Sequence, residues 1–121
     1  NIILDKGRRN RVVSRNASNG KTVLEDQNHS GRVQFRDSGL EMEDKASDRL
    51  EITKDHPLSM STECQRTASI GRGDWQTRIE TKSRMTSDEM NFYLENHLKG
   101  YENDHIVFQK SWETSIARSF V

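Results

Sequence analysis

The sequence predicts an all-β fold, a curved antiparallel meander of about six to eight strands forming a partial barrel or sandwich. Three observations predict it. From Lys21 onward apolar and polar residues alternate with a period of two, the repeat of a strand with one face covered. Short turn signals such as Gly71-Arg72-Gly73-Asp74 separate the alternating segments, and connections so short join only neighbouring antiparallel strands. Apolar residues make up 31% of the chain, enough for strands with one wet face and too few for elements buried on both sides.

The 121 residues fit a single domain, with 1–30 expected as an N-terminal strand or docking arm followed by a polar loop, and 31–121 as the antiparallel β domain. In 1–30 an apolar start gives way to a polar run holding Gly7, Asn10, Asn16 and Gly20. "TVLED" and "GRVQFRD" suggest two short strands, the second with Val33 and Phe35 on one face. "LEMED" and "RLEITK" set Leu40, Met42, Leu50 and Ile52 on one side. "LSMSTECQRTASI" places Leu58, Met60, Cys64, Ala68 and Ile70 together, with Arg66 as an intruder. Pro57 stands at the start of that strand, where its missing N–H costs little.

"WQTRIETKSRM" is the clearest element, because Trp75, Thr77, Ile79, Thr81, Ser83 and Met85 alternate with Gln76, Arg78, Glu80, Lys82 and Arg84. Ile79→Ala is expected to cost roughly 2–4 kcal/mol as a core truncation, and Arg78→Ala under about 1 kcal/mol. "MNFYLENHLK" aligns Met90, Phe92, Leu94 and Leu98; "HIVFQKSWETSI" aligns Ile106, Phe108, Trp112 and Ile116. Lys110 breaks the last face, as a bulge or as an aliphatic stem reaching outward. The expected interior is Trp75, Ile79, Phe92, Leu94, Phe108 and Trp112.

Charge balances at 19 basic against 19 acidic residues, which leaves no global field for nucleic acid or an anionic membrane. No run approaches the ~20 apolar residues of a membrane helix. Cys64 is the only cysteine, so a reducing, cytoplasmic setting is expected. The chain begins at Asn1 without a methionine or an apolar leader, and reads as a fragment or processed product.

Catalytic chemistry finds no anchor in these residues. A serine-hydrolase elbow needs G-x-S-x-G, and no such stretch occurs. No Gly-rich phosphate loop opens a helix. Cys64 could act as a nucleophile if paired with His56, His97 or His105, but mid-strand on the apolar face it reads as a buried, inert thiol. His97 and His105 flank the last hairpin without metal-ligand spacing. No catalytic, cofactor-binding or metal-ligating residue is therefore assigned, and no cofactor is expected. Asn16-Ala17-Ser18 fits a glycosylation pattern that often arises by chance. Arg72-Gly73-Asp74 has the form of an adhesion tripeptide, but its glycine and aspartate suit a hairpin tip. Arg78, Lys82 and Arg84 share a face with Glu80 and no aromatic residue, the pattern of a solvated ion-pair ladder rather than a nucleic-acid surface. The aromatic residues themselves form a core or, alternatively, line the cavity of a small-ligand-binding β-barrel.

From about Asp55 to Val121 the chain resembles the extreme C-terminal region of bacterial serine hydrolases of the CocE/NonD family, relatives of the X-Pro dipeptidyl-peptidases. The resemblance rests on His56-Pro57-Leu58-Ser59, Arg72 to Thr81, Met85 to Asp88, Phe92-Tyr93, Gly100-Tyr101-Glu102, Val107-Phe108, Ser111-Trp112 and Ala117-Arg118. "SGLEMEDKASDRLEI" is similar to the preceding strand pair. It departs at the close, where Ala117-Arg118-Ser119-Phe120-Val121 replaces a proline-containing ending. The family's Ser, Asp and His triad belongs to an upstream α/β-hydrolase domain and maps onto no residue here. The resemblance thus implies a non-catalytic accessory β-domain of a hydrolase or peptidase. Its partner would be the catalytic domain of the same parent protein or a homo-oligomer mate, with no nucleic acid and no membrane.

Overall fold

The computed structural model describes residues 1–119 and contains one sheet of seven antiparallel strands in chain order. The strands are β1 (Ile2–Asn16), β2 (Lys21–Gln34), β3 (Glu41–Thr53), β4 (His56–Arg72), β5 (Trp75–Ser87), β6 (Asn91–Glu102) and β7 (His105–Ala117). Each pairs only with its sequence neighbours, so the all-β antiparallel meander is the fold. The sheet is open: β1 and β7 do not meet among the described residues. Phe120 and Val121, the last residues of the divergent close, lie outside the described residues.

Tight loops set the register. Glu102 pairs with His105 around Asn103-Asp104, whose φ values of 49° and 68° are those of a type I′ hairpin. Arg72 pairs with Trp75 around Gly73-Asp74, and Gly73 has φ 57° at the first loop position, as a type II′ turn requires.

The first thirty residues begin with a strand, one of the forms expected, but the polar stretch after it is strand as well rather than loop. β1 continues to Asn16 and pairs with β2 along its length, although every one of its residues is exposed. A polar run can be strand here because both faces of the sheet meet solvent, so pairing alone decides the conformation. For the same reason "TVLED" and "GRVQFRD" fuse into β2 across a bulge between His29 and Arg32. "LEMED" and "RLEITK" fuse into β3.

Strand register sorts the side chains as the alternation predicts, except that a shift at Gly100/Tyr101 sets Ile106 opposite Tyr101, off the face of Phe108 with which it was expected. Ala68, Ile79, Gly100 and Phe108 form one cross-strand row, and Thr62, Met85, Leu94 and Thr114 another on the same face. What differs is the cover. Among the described residues no hydrophobic side chain is buried; Ile79 is 52% exposed, Phe108 52%, Trp75 45% and Trp112 42%. The residues expected inside do share one face, with Phe92 and Leu94 half-buried, but no second layer closes over them. Lys110 stays in register opposite Leu98, and its Nζ lies 5.5 Å from the Trp112 ring centroid. The bulge in this hairpin falls instead at Gly100/Tyr101.

Candidate functional site

The uncovered face is the first candidate. At one end of the strands Val13, Leu24, Leu50, Thr62, Met85 and Leu94 form a mainly apolar row across β1–β6; Ile3, Val33, Met42 and Ile70 begin another at the other end of β1–β4. Between them β1–β4 carry a polar band. Arg11, Asp26 and Asp48 lie in one row, and Arg9, Asn28, Ala46 and Arg66 in the next. Arg9 Nη2 donates to Asp26 Oδ2 at 2.9 Å, and this bond holds the Asp26 carboxyl below its ordinary range. Toward β7 these two rows continue into Leu98 and Trp112, with Lys110 the one charge among them. Gly100 stands between Ile79 and Phe108 without a side chain, and an open groove of about 370 Å³ bordered by Leu98 and Val107 forms there. Exposed aromatic residues and a charged band are features that protein interfaces use for anchoring and orientation.

The opposite face is an ion-pair ladder. Glu25, Arg49, Glu63, Arg84 and Glu95 follow one another across β2–β6 with alternating sign. Lys21 lies 2.6 Å from Glu51, which lowers the Glu51 pKa. Arg78 Nε donates to Glu80 Oε1 at 2.9 Å, and its guanidinium stacks 4.1 Å from the Tyr101 centroid. The ladder read from the sequence is therefore present, and it covers Arg78 better than the open face covers Ile79.

Within this polar face sits the one buried side chain of the described residues, His29, at 8% exposure. Asp5 from β1 and Glu43 from β3 flank it, and one ligand atom from each of the three lies within 4.8 Å of the others. Sequence reasoning missed this group because its members stand on three strands and meet only through register. The one signal was Gly31 just after His29 in a strand pattern, which suggests a bulge.

Residues singled out from the sequence do not converge. Cys64 is exposed, which corrects the expected burial; with no second layer, nothing covers the face on which it stands. Desolvation by its neighbours, then the Asp48 carboxylate, push its thiol pKa up, so it is a poor nucleophile. His56 opens β4, while His97 Nδ1 lies 2.8 Å from Ser111 Oγ on the polar face and His105 opens β7. Arg72 Nη1 donates to the Ser38 carbonyl at 2.9 Å, which ties the tripeptide into the sheet end as a turn. Asn16 Oδ1 accepts from the Ser18 backbone N–H at 3.0 Å, an Asx turn between β1 and β2.

No family model, curated protein or solved structure matches the chain. Among the described residues no helix is long and apolar enough to cross a membrane.

Proposed function

We propose that this chain is a non-catalytic accessory and interaction β-domain of a CocE/NonD-family, X-Pro dipeptidyl-peptidase-like hydrolase. It docks its apolar face on the catalytic α/β-hydrolase domain of the same parent protein, in the reducing cytoplasm that a lone thiol suits. The observation that carries this reading is the uncovered face with its aromatic anchors. An amphipathic sheet becomes stable by burying that face against another layer. The accessible surface is 8980 Å² for 14.0 kDa, against about 6,700 Å² for a compact monomer of this mass. The excess, about 2,300 Å², matches one partner's share of a large obligate interface. The motifs quoted above supply the partner's identity. The ligand-barrel alternative draws less support, since the open sheet encloses no interior among the described residues.

The test is co-expression with the α/β-hydrolase domain of the parent reading frame, followed by size-exclusion chromatography. A stoichiometric complex is expected, lost in Phe108→Glu/Trp112→Glu and kept in Arg84→Glu on the other face. Absence of such a domain, or a complex indifferent to Phe108 and Trp112, overturns the reading; a homodimer built on the same face assigns the docking to a second copy. The isolated chain should turn over neither activated esters nor proline peptides. Turnover abolished by Cys64→Ala or His56→Ala would sink the accessory role.

A further inference from the structure

A chain with no buried apolar side chain among its described residues has nonetheless buried an imidazole. Two bulges bring this about, one on β1 between Ile3 and Asp5 and one on β2 between His29 and Arg32. Bulges re-aim side chains and increase local twist. At Gly31, φ is 86°, and an added Cβ would collide with the Asp5 carbonyl oxygen and lie 2.6 Å from Gly7 N. At Gly7 an added Cβ would stand 2.7 Å from the His29 carbonyl oxygen. The two glycines thus let β1 and β2 press together beside His29.

The ring is poorly satisfied for its depth. His29 Nε2 lies 3.1 Å from Glu43 Oε2, yet neither ring nitrogen has a partner in hydrogen-bond geometry. A buried, unpaired polar group calls for a missing water or ion. The cations nearby hold the two carboxylates only loosely. Arg8 stands 3.6 Å from Asp5 Oδ2 and Lys45 stands 3.7 Å from Glu43 Oε1, both on largely exposed side chains. Arg32 is occupied by Glu41 at 2.8 Å.

We propose that Asp5, His29 and Glu43 bind a divalent transition-metal ion of the zinc class. One imidazole nitrogen and two carboxylate oxygens suit zinc or cobalt, and three protein ligands leave a position for water. At bond lengths near 2.0–2.1 Å, tetrahedral ligand atoms stand about 3.3–3.5 Å apart. The His29–Glu43 pair is already near that spacing, and the ligand atoms of all three residues stand within 4.8 Å of one another. The ion cross-links β1 to β3 over β2. It thereby staples an edge strand whose residues are all exposed.

The chain, stripped with chelator, is titrated with zinc(II), and with cobalt(II) for its visible absorption bands. Expected are about one ion per chain, a higher melting temperature, and slower amide exchange confined to β1–β3. His29→Gln, Asp5→Asn and Glu43→Gln should each weaken uptake at least tenfold, with His97→Ala and His105→Ala unchanged. Should the site variants unfold, nitrogen-15 NMR of the wild-type chain decides, since the His29 ring nitrogens must shift on zinc addition. No uptake at millimolar metal overturns the site, as does uptake that survives His29→Gln or moves with His97 or His105. So does metal binding that leaves the His29 ring signals in place. The polar face is not the docking face, so this outcome is independent of the accessory-domain test.

Discussion

Gly31 and Gly73 share a positive φ, 86° and 57°, but not the same surroundings. Gly31 faces the β1 backbone at van der Waals limits, whereas nothing lies within 4 Å of a Cβ added at Gly73. Gly73→Ala should therefore cost only the left-handed backbone penalty, about 1 kcal/mol. Gly31→Ala adds a backbone collision that no rotamer relieves, and should cost more than about 2 kcal/mol; paired urea melts compare them. Asp88 poses a charge question at the β5–β6 turn. Its Oδ1 accepts from the N–H groups of Met90 and Asn91 at 2.8 Å each, and its Oδ2 accepts from the Tyr93 hydroxyl. The Tyr93 bond first, then these backbone bonds, hold its pKa below the ordinary value. A lowered folded pKa means that the carboxylate stabilises the turn above the unfolded-state pKa, and that this is lost as pH falls through the folded value. The Met90 and Asn91 amide shifts should thus titrate with a midpoint below that of an ordinary aspartate. Tyr93→Phe should move their midpoint upward; an unmoved midpoint would remove Tyr93 from the account.

β5 shows how a correct pattern can carry the wrong energy. Its alternation was fully legible, and Ile79 and Arg78 do point to opposite faces. The cost assigned to each assumed that the apolar face would be the covered one. In the sheet Ile79 is half exposed, while Arg78 is bonded to Glu80 and Asp104 and stacked on Tyr101. The isolated chain should lose under about 1 kcal/mol from Ile79→Ala and a comparable amount, about 1 kcal/mol, from Arg78→Ala. Docking should separate them, raising the Ile79 cost toward the 2–4 kcal/mol expected of a core truncation. Equal m-values in the urea melts are required for the comparison. A large Ile79 penalty in the isolated chain would show that the face is already covered in solution. The same element logic explains what could be read from the sequence. Period-two runs and Gly or Asn-Asp loops specify β4–β7, because local residues decide them. β1 was unreadable, since Arg8 to Arg11 carry no alternation and only pairing makes them strand. Asp5, His29 and Glu43 were unreadable as a group, since a bulge in each of two strands decides their meeting.

For the whole molecule the question is what a single-layer sheet does with its apolar side. On its polar side charges of alternating sign stand opposite one another from Glu25 to Glu95, and ion pairs such as Arg49–Glu25, Lys82–Glu63 and Arg78–Glu80 form there. The apolar side has no such partner, and its residues lie in rows that a second layer could cover together. Burying them is the largest favourable term still open to the chain, at roughly 25 cal/mol per Å² of apolar area removed from water. The charged band of Arg9, Arg11, Asp26, Asp48 and Arg66 makes cover by lipid costly and cover by a polar-centred protein surface favourable. In isolation the chain should therefore bind an apolar dye such as ANS strongly. Its melting temperature should also rise with protein concentration, because isolated copies associate through their uncovered apolar face. Phe108→Glu/Trp112→Glu should reduce the dye signal and flatten the concentration dependence. Far-UV circular dichroism should stay unchanged, since both residues are exposed on edge strand β7. Dye binding and concentration dependence both absent in the wild-type chain would mean that the sheet curls to bury its own face. In that case Trp112 emission should be blue-shifted in the monomer, and the docking role would have to be abandoned.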